Sequence, residues 1–182
     1  MVLEDRILVW RFKNGSKEAL AGIYEKHRDD LLRIAASLLN HNTAAEDIVH
    51  DVFIGFVRNR SSFVLRSSLK AYLVTGVVNR SRSFYKTKDR NATIENEQMD
   101  LVESRHSRPE QWIITNEQTQ ILTDALQLLP VEQREVVVLH TQGNLRFRQI
   151  ADLQAVSTKT AQSRYRYGIE KLRTLLDGKV SL

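Results

Sequence analysis

A chain of 182 residues with 42% hydrophobic content can bury one core or two small ones, and its seven glycines and two prolines are too few to punctuate an all-β protein. The absence of cysteine excludes disulfides and thiolate metal sites, and five scattered histidines show no ligand-like spacing, so neither a metal nor another cofactor is expected. Lys and Arg total 27 against 22 Asp and Glu, a net charge of +5 with a pI near 9.6, which favours a polyanionic partner.

The opening MVLEDRILVWRFKNG carries Glu4, Asp5 and Arg6 where a signal peptide needs an apolar run. No apolar stretch reaches about 20 residues, so a membrane span is not expected and a cytoplasmic setting is. Apolar positions at helical spacing run through 3–14 (Leu8, Trp10, Phe12) and 16–39 (Leu20, Ile23, Leu31, Ile34, Leu38), predicting two helices broken near Gly15. After the turn-like 40-NHNT-43, a third helix is predicted with Thr43 as its cap and Ile48, Val49, Val52, Phe53 and Phe56 on its apolar face. Asp47 and Asp51 lie four apart and share the adjacent polar stripe. A loop at 60–68 precedes a fourth helix, 69–88, whose second half turns basic and polar.

From there to Arg108 the text loses both large apolar residues and period, which reads as a linker. The expected organisation is therefore a first domain at 1–88, a linker at 89–109 and a second domain at 110–182. In the second, helices are predicted at 110–129 and 131–142 with Pro130 between them, then a turn at Gly143-Asn144. A short helix at 146–154, a tight turn through Ala155 and Val156, and a Ser157-capped final helix make a helix-turn-helix.

In that final helix Ala161, Tyr165, Gly168, Leu172 and Leu175 repeat at four, three, four and three, which defines the buried seam. Lys159, Gln162, Ser163, Arg166 and Arg173 then fall on the opposite side, with Arg164 and Lys171 flanking. A helix seated in a major groove needs this division: amide and guanidinium groups reach base edges, while hydroxyls and cations hold phosphates. The fold class is all-α, two small helical domains joined by a flexible linker.

The string 128-LLPVEQREVVVLHTQGNLRFRQIADLQAVSTKTAQSRYRYGIEKLR-173 resembles the C-terminal promoter-binding region of bacterial sigma-70-family factors, in the small extracytoplasmic-function (ECF) group. The resemblance rests on Leu129-Pro130, Gln133-Arg134-Glu135-Val136, Ile150-Ala151, and Ser157, Thr160, Ser163 and Arg164 in order. The segment 45-AEDIVHDVFIGFV-57 is similar to that family's core-polymerase-binding helix, and 69-LKAYLVTGVVNRSRSFYK-86 to its promoter-melting helix. Where such proteins commonly have a glycine in the helix-turn-helix turn, this chain has Ala155.

The resemblance implies a non-enzymatic sigma factor that binds RNA polymerase core enzyme through the β′ clamp helices and directs it to promoter DNA, without a small-molecule substrate. It implies Asp47, Ile48, Asp51 and Val52 at the polymerase contact. For the melted promoter it implies Asn79, Arg80, Ser83 and Lys86 along the strand, Phe63, Ser67 and Ser68 in a loop that receives a flipped base, and Tyr72 as either pocket wall or core. For the duplex upstream element it implies Gln162, Ser163 and Arg166 at bases and Lys159, Thr160 and Arg164 at phosphates. An anti-sigma factor is an implied partner. The rival readings are a stand-alone helix-turn-helix regulator that binds operator DNA as a dimer, and an enzyme on nucleic acid; for the latter no nucleophile-base pair, phosphate loop or metal cluster is visible.

Overall fold

The computed structural model describes residues 2–39, 42–65, 68–95 and 117–177. Among them are eight α-helices and no strand: α1 (Val2–Lys13), α2 (Lys17–Leu39), α3 (Asn42–Arg58), α4 (Leu69–Glu95), α5 (Glu117–Gln127), α6 (Val131–Thr141), α7 (Phe147–Gln154) and α8 (Thr158–Asp177). The all-α expectation holds. The α1–α2 break sits at Gly15, whose φ of +93° is open to glycine without strain.

Helix α2 is the axis of the first four helices, packed against α1, α3 and α4. Its Ile23, Leu31, Ile34 and Ala35 are completely buried, at the three-and-four spacing that makes one stripe of a helix. Phe56 of α3 anchors an aromatic cluster: it stacks on Phe12 at 4.7 Å and meets Phe63 edge-on at 5.0 Å. Among the described side chains of α1 the buried apolar ones are Val9 and Phe12, whereas Trp10, expected among the apolar positions, is 67% exposed. A helix so short offers the bundle a narrow stripe, and Trp10 falls outside it.

Two boundaries differ from expectation. Helix α3 begins at Asn42, so Thr43 lies inside it and is not its cap. Helix α4 continues through Glu95, seven residues beyond the expected end, because 88-KDRNATIE-95 contains neither glycine nor proline to stop it. Residues 110–116 of the next expected helix lie outside the described residues.

Helices α5–α8 form the second assembly, with α6 and α7 both packed on α8. Pro130, extended at φ −51° and ψ 142°, caps α6, where a missing N–H leaves no helical bond unmade. Gly143-Asn144 turns the chain with Asn144 at φ 53°. Helix α7 ends at Ala155, left-handed at φ 51° and ψ 45°, and the N–H of Val156 reaches back to the Ala151 carbonyl at 3.0 Å. A Cβ in that conformation costs about 1–2 kcal/mol, part of which glycine would return as unfolded-chain entropy. Ala155→Gly is therefore expected to stabilise the fold by about 0.5–1 kcal/mol. A rise in the urea midpoint at unchanged slope checks this, and no rise would mean the turn is unstrained.

The two sets of helices touch. The C-terminal end of α2 leaves carbonyls without helical partners, and side chains from later helices satisfy them. Tyr85 of α4 donates to the Leu38 and Leu39 oxygens at 3.0 and 3.3 Å. Buried Arg134 of α6 donates to the Leu38 oxygen at 3.0 Å, and Gln127 of α5 to the Ser37 oxygen at 3.0 Å. Cations and amide donors belong at the negative end of a helix dipole, so α2 seats α5 and α6 by its own terminus.

Candidate nucleic-acid interface

The final helix starts as its sequence indicated. Ser157 Oγ accepts the Thr160 N–H at 3.0 Å and pairs with the Thr160 hydroxyl at 2.8 Å, so the hydroxyl expected at a phosphate is engaged with the cap. Along the seam Ala161, Gly168 and Leu172 are buried and Tyr165 and Leu175 half-buried. Gly168 has a role that sequence alone did not disclose. A Cβ there would stand 2.8 Å from Val137 Cγ2 of α6, so the missing side chain lets the two helices close.

On the other side of α8, Lys159, Gln162, Arg166, Lys171 and Arg173 are exposed and Ser163 half-buried. Arg166 lies with its guanidinium 4.9 Å from the Tyr167 ring centroid, and its Nη2 donates to the Tyr167 hydroxyl at 3.2 Å. Arg164 points instead toward α7, donating to Gln154 Oε1 at 2.7 Å. The expected face therefore forms, with Thr160 and Arg164 already occupied.

Behind α8, the stack of His140 on Phe147 at 4.2 Å, with Tyr165 edge-on to both, fixes α7 against α6 and α8. His140 Nδ1 lies 3.0 Å from the Leu145 carbonyl oxygen, which sets the ring's orientation. The angle between the helices of the helix-turn-helix is held by packing on both sides of the turn.

The basic half of α4 is more divided. Asn79, Ser83 and Lys86 are exposed, although the Ser83 hydroxyl donates to the Asn79 carbonyl at 3.1 Å. Arg80 is half-buried, its guanidinium lying across α3 where a Cβ at Gly55 would meet Nη2 at 2.7 Å. Ser68 Oγ accepts the Ala71 N–H at 3.0 Å and so begins α4, while Ser67 lies outside the described residues. Phe63, expected in a loop that receives a flipped base, is 6% exposed. Its loop is tied down by Lys13 Nζ on the Phe63 oxygen at 2.8 Å, and Phe56 draws the ring into the core. Tyr72 is not core: it meets Phe63 edge-on at 4.8 Å and remains 37% exposed. A cleft of about 530 Å³ opens beside these rings, lined also by Val64, Thr75, Leu145, Gln149, Asp152 and Leu153.

On α3, Asp47 and Asp51 stand exposed on one face. Ile48 and Val52, expected beside them at the polymerase contact, are 6% and 3% exposed and belong to the core. The reason is periodicity: positions next to the aspartates are those that α2 and α4 cover, and the large apolar residue that α3 leaves exposed, Val57 at 41%, falls on a different face from the aspartates.

Arg82 is not among the residues that the sequence marks out. Its Nε and Nη2 grip Glu135 Oε1 and Oε2 of α6 at 2.8 and 2.6 Å, and its Nη1 donates to the Leu153 oxygen at 3.0 Å. The bonds to Glu135 outweigh partial burial and hold the Arg82 pKa above its ordinary value. The only sequence signal was a third cation beside Arg80 and Lys86; its carboxylate partner is 53 positions away.

Residues 23–91 match the family model for sigma-70 region 2, and residues 119–172 that for sigma-70 region 4. The chain is 26% identical over 166 residues to the RNA polymerase sigma factor CarQ of Myxococcus xanthus, spanning 91% of this chain and 94% of that one. Sigma factor RpoE of Bartonella quintana, solved with the anti-sigma factor NepR, superposes with a TM-score of 0.65 at 27% identity, over 80% of this chain and 89% of that one. CnrH, solved with the cytosolic domain of CnrY, shares the fold with a TM-score of 0.71 at 22% identity, over 96% and 98% of the two chains.

Proposed function

The chain belongs to the sigma-70 family of RNA polymerase sigma factors, in its ECF group, and from that membership we propose how its surfaces divide the work. It binds RNA polymerase core enzyme and directs it to promoter DNA. We assign the contact with the polymerase β′ clamp helices to Asp47 and Asp51. The melted strand runs along Asn79, Ser83 and Lys86 toward the Tyr72 wall, and α8 enters the major groove of the upstream element. Gln162, Ser163 and Arg166 address base edges there and Lys159 a phosphate. The family's members are not enzymes, and in this reading every bond-making step belongs to the polymerase.

The observation that carries the assignment is the exposed face of α8, cationic and amide-bearing, presented by a packed helix-turn-helix. A stand-alone regulator is not favoured, since it leaves residues 23–91, matched to region 2, without a task. Among the described residues no helix is long and apolar enough to cross a membrane. The site of action proposed is the cytoplasm, where the polymerase is. Because the Bartonella relative was solved with an anti-sigma factor, a protein antagonist of that class is proposed here too.

Run-off transcription with purified core enzyme over a promoter-library template tests the function: new, sequence-defined start sites are expected, and their absence would overturn it. On the promoter so found, Arg166→Ala is expected to relax preference at one upstream position at a loss of about 1–3 kcal/mol. Lys159→Ala should weaken binding across sequences and flatten its salt dependence. Equal losses on specific and random duplex for both variants would refute the division of roles.

A further inference from the structure

The contacts that join the two halves of the molecule engage arginines from both helices assigned to DNA. Arg82 lies on α4 between Arg80 and Ser83, and Glu135 of α6 holds it through two parallel bonds. The same Glu135 Oε2 accepts Gln154 Nε2 at 3.0 Å, and Gln154 Oε1 in turn accepts Arg164 of α8 at 2.7 Å. A polar chain therefore runs from the melting helix to the reading helix through Glu135 and Gln154. A carboxylate accepting two guanidinium bonds presents the geometry and charge of a phosphate. In this arrangement Arg82 is bound as DNA would bind it, but by the protein itself.

The cleft beside Phe63 and Tyr72 carries a second obstruction. Its far wall comes from the helix-turn-helix, through Leu145, Gln149, Asp152 and Leu153, so the second half of the molecule stands over the proposed base pocket. Asp152 is exposed there and repels a phosphodiester backbone. The neighbouring ties, Arg134 to the Leu38 carbonyl and Gln127 to the Ser37 carbonyl, are also polar, and water can replace them when the halves part.

We propose that this docked arrangement is an internally latched state in which Glu135 acts as a phosphate mimic, holding Arg82 and closing the strand-binding cleft until the two halves separate. The latch rests on the sigma reading for its purpose but not for its detection. Its consequence is a lowered apparent affinity for core enzyme and promoter, because only the unlatched fraction is competent.

The chain has no cysteine, so spin labels at Glu25→Cys and Lys171→Cys, both exposed positions, report one distance between the halves. The parent is expected to show a single narrow distance distribution. Glu135→Ala, and Arg82→Gln from the other side, should broaden and lengthen it. The exchange Arg82→Glu with Glu135→Arg should narrow it again, a rescue that general damage to the fold does not produce. Glu135→Ala should also bind core enzyme about tenfold more tightly. A broad distribution in the parent, no change on breaking the pair, or no rescue on exchange would overturn the latch. A distance response as expected in a protein that binds no core enzyme would uphold the latch and refute the sigma reading.

Discussion

Gly168→Ala is expected to destabilise the C-terminal helices by about 1–2 kcal/mol, although alanine is the better helix former by about 1 kcal/mol. The new methyl would lie 2.8 Å from Val137 Cγ2 and 3.5 Å from both Gln133 Cβ and the Gln133 oxygen. Val137 cannot yield cheaply: it is 4% exposed, and a β-branched side chain on a helix has one strongly preferred rotamer. The strain must pass to the α6–α8 separation. Gly168→Val, with two further carbons in the same gap, is expected to cost about 3 kcal/mol or more and to abolish duplex binding by tilting Gln162 and Arg166 away from the groove. Denaturation midpoints and duplex titrations read both effects. Adding Val137→Ala to Gly168→Ala should recover part of the loss, because it removes the atom in collision. Additive damage in the double variant would show that the glycine serves something other than this close approach.

That glycine also marks where sequence reasoning stops. The four-three-four-three repeat put Gly168 on the seam, and Ser157 declared itself as the cap of α8, since both follow from spacing along one helix. Why a glycine should sit mid-helix depends on Val137, on another element 31 positions earlier, which no local pattern encodes. Arg134 and Glu135 behaved alike. They were visible as markers of a family resemblance, yet their partners, the Leu38 carbonyl and Arg82, exist only once the halves dock. Ile48 and Val52 failed for a related reason. Periodicity placed them correctly on the apolar face of α3, but the resemblance assigned them to a partner while α2 and α4 had already claimed that face. Ser67, an expected base contact, falls outside the described residues.

Removing Ile48 and Val52 from the surface raises what is asked of the charges. Asp47 and Asp51 are exposed one helical turn apart, and neither has a hydrogen bond or ion pair among the described residues. Asp47→Lys with Asp51→Lys is therefore expected to leave thermal stability unchanged while weakening core-enzyme binding about 100-fold, because like charges set against a complementary surface cost several kcal/mol. The single changes Asp47→Asn and Asp51→Asn should each cost only about 0.2–1 kcal/mol, the range of a rim ion pair, and their effect should fade as salt rises. Ile48→Ala should give the inverse pattern, a stability loss of about 2–5 kcal/mol from the cavity it opens, with core binding retained below the melting temperature. Unaltered core affinity in the double-lysine variant would remove α3 from the interface. Lost affinity in Ile48→Ala at full stability would mean that the buried face of α3 turns outward when the polymerase binds.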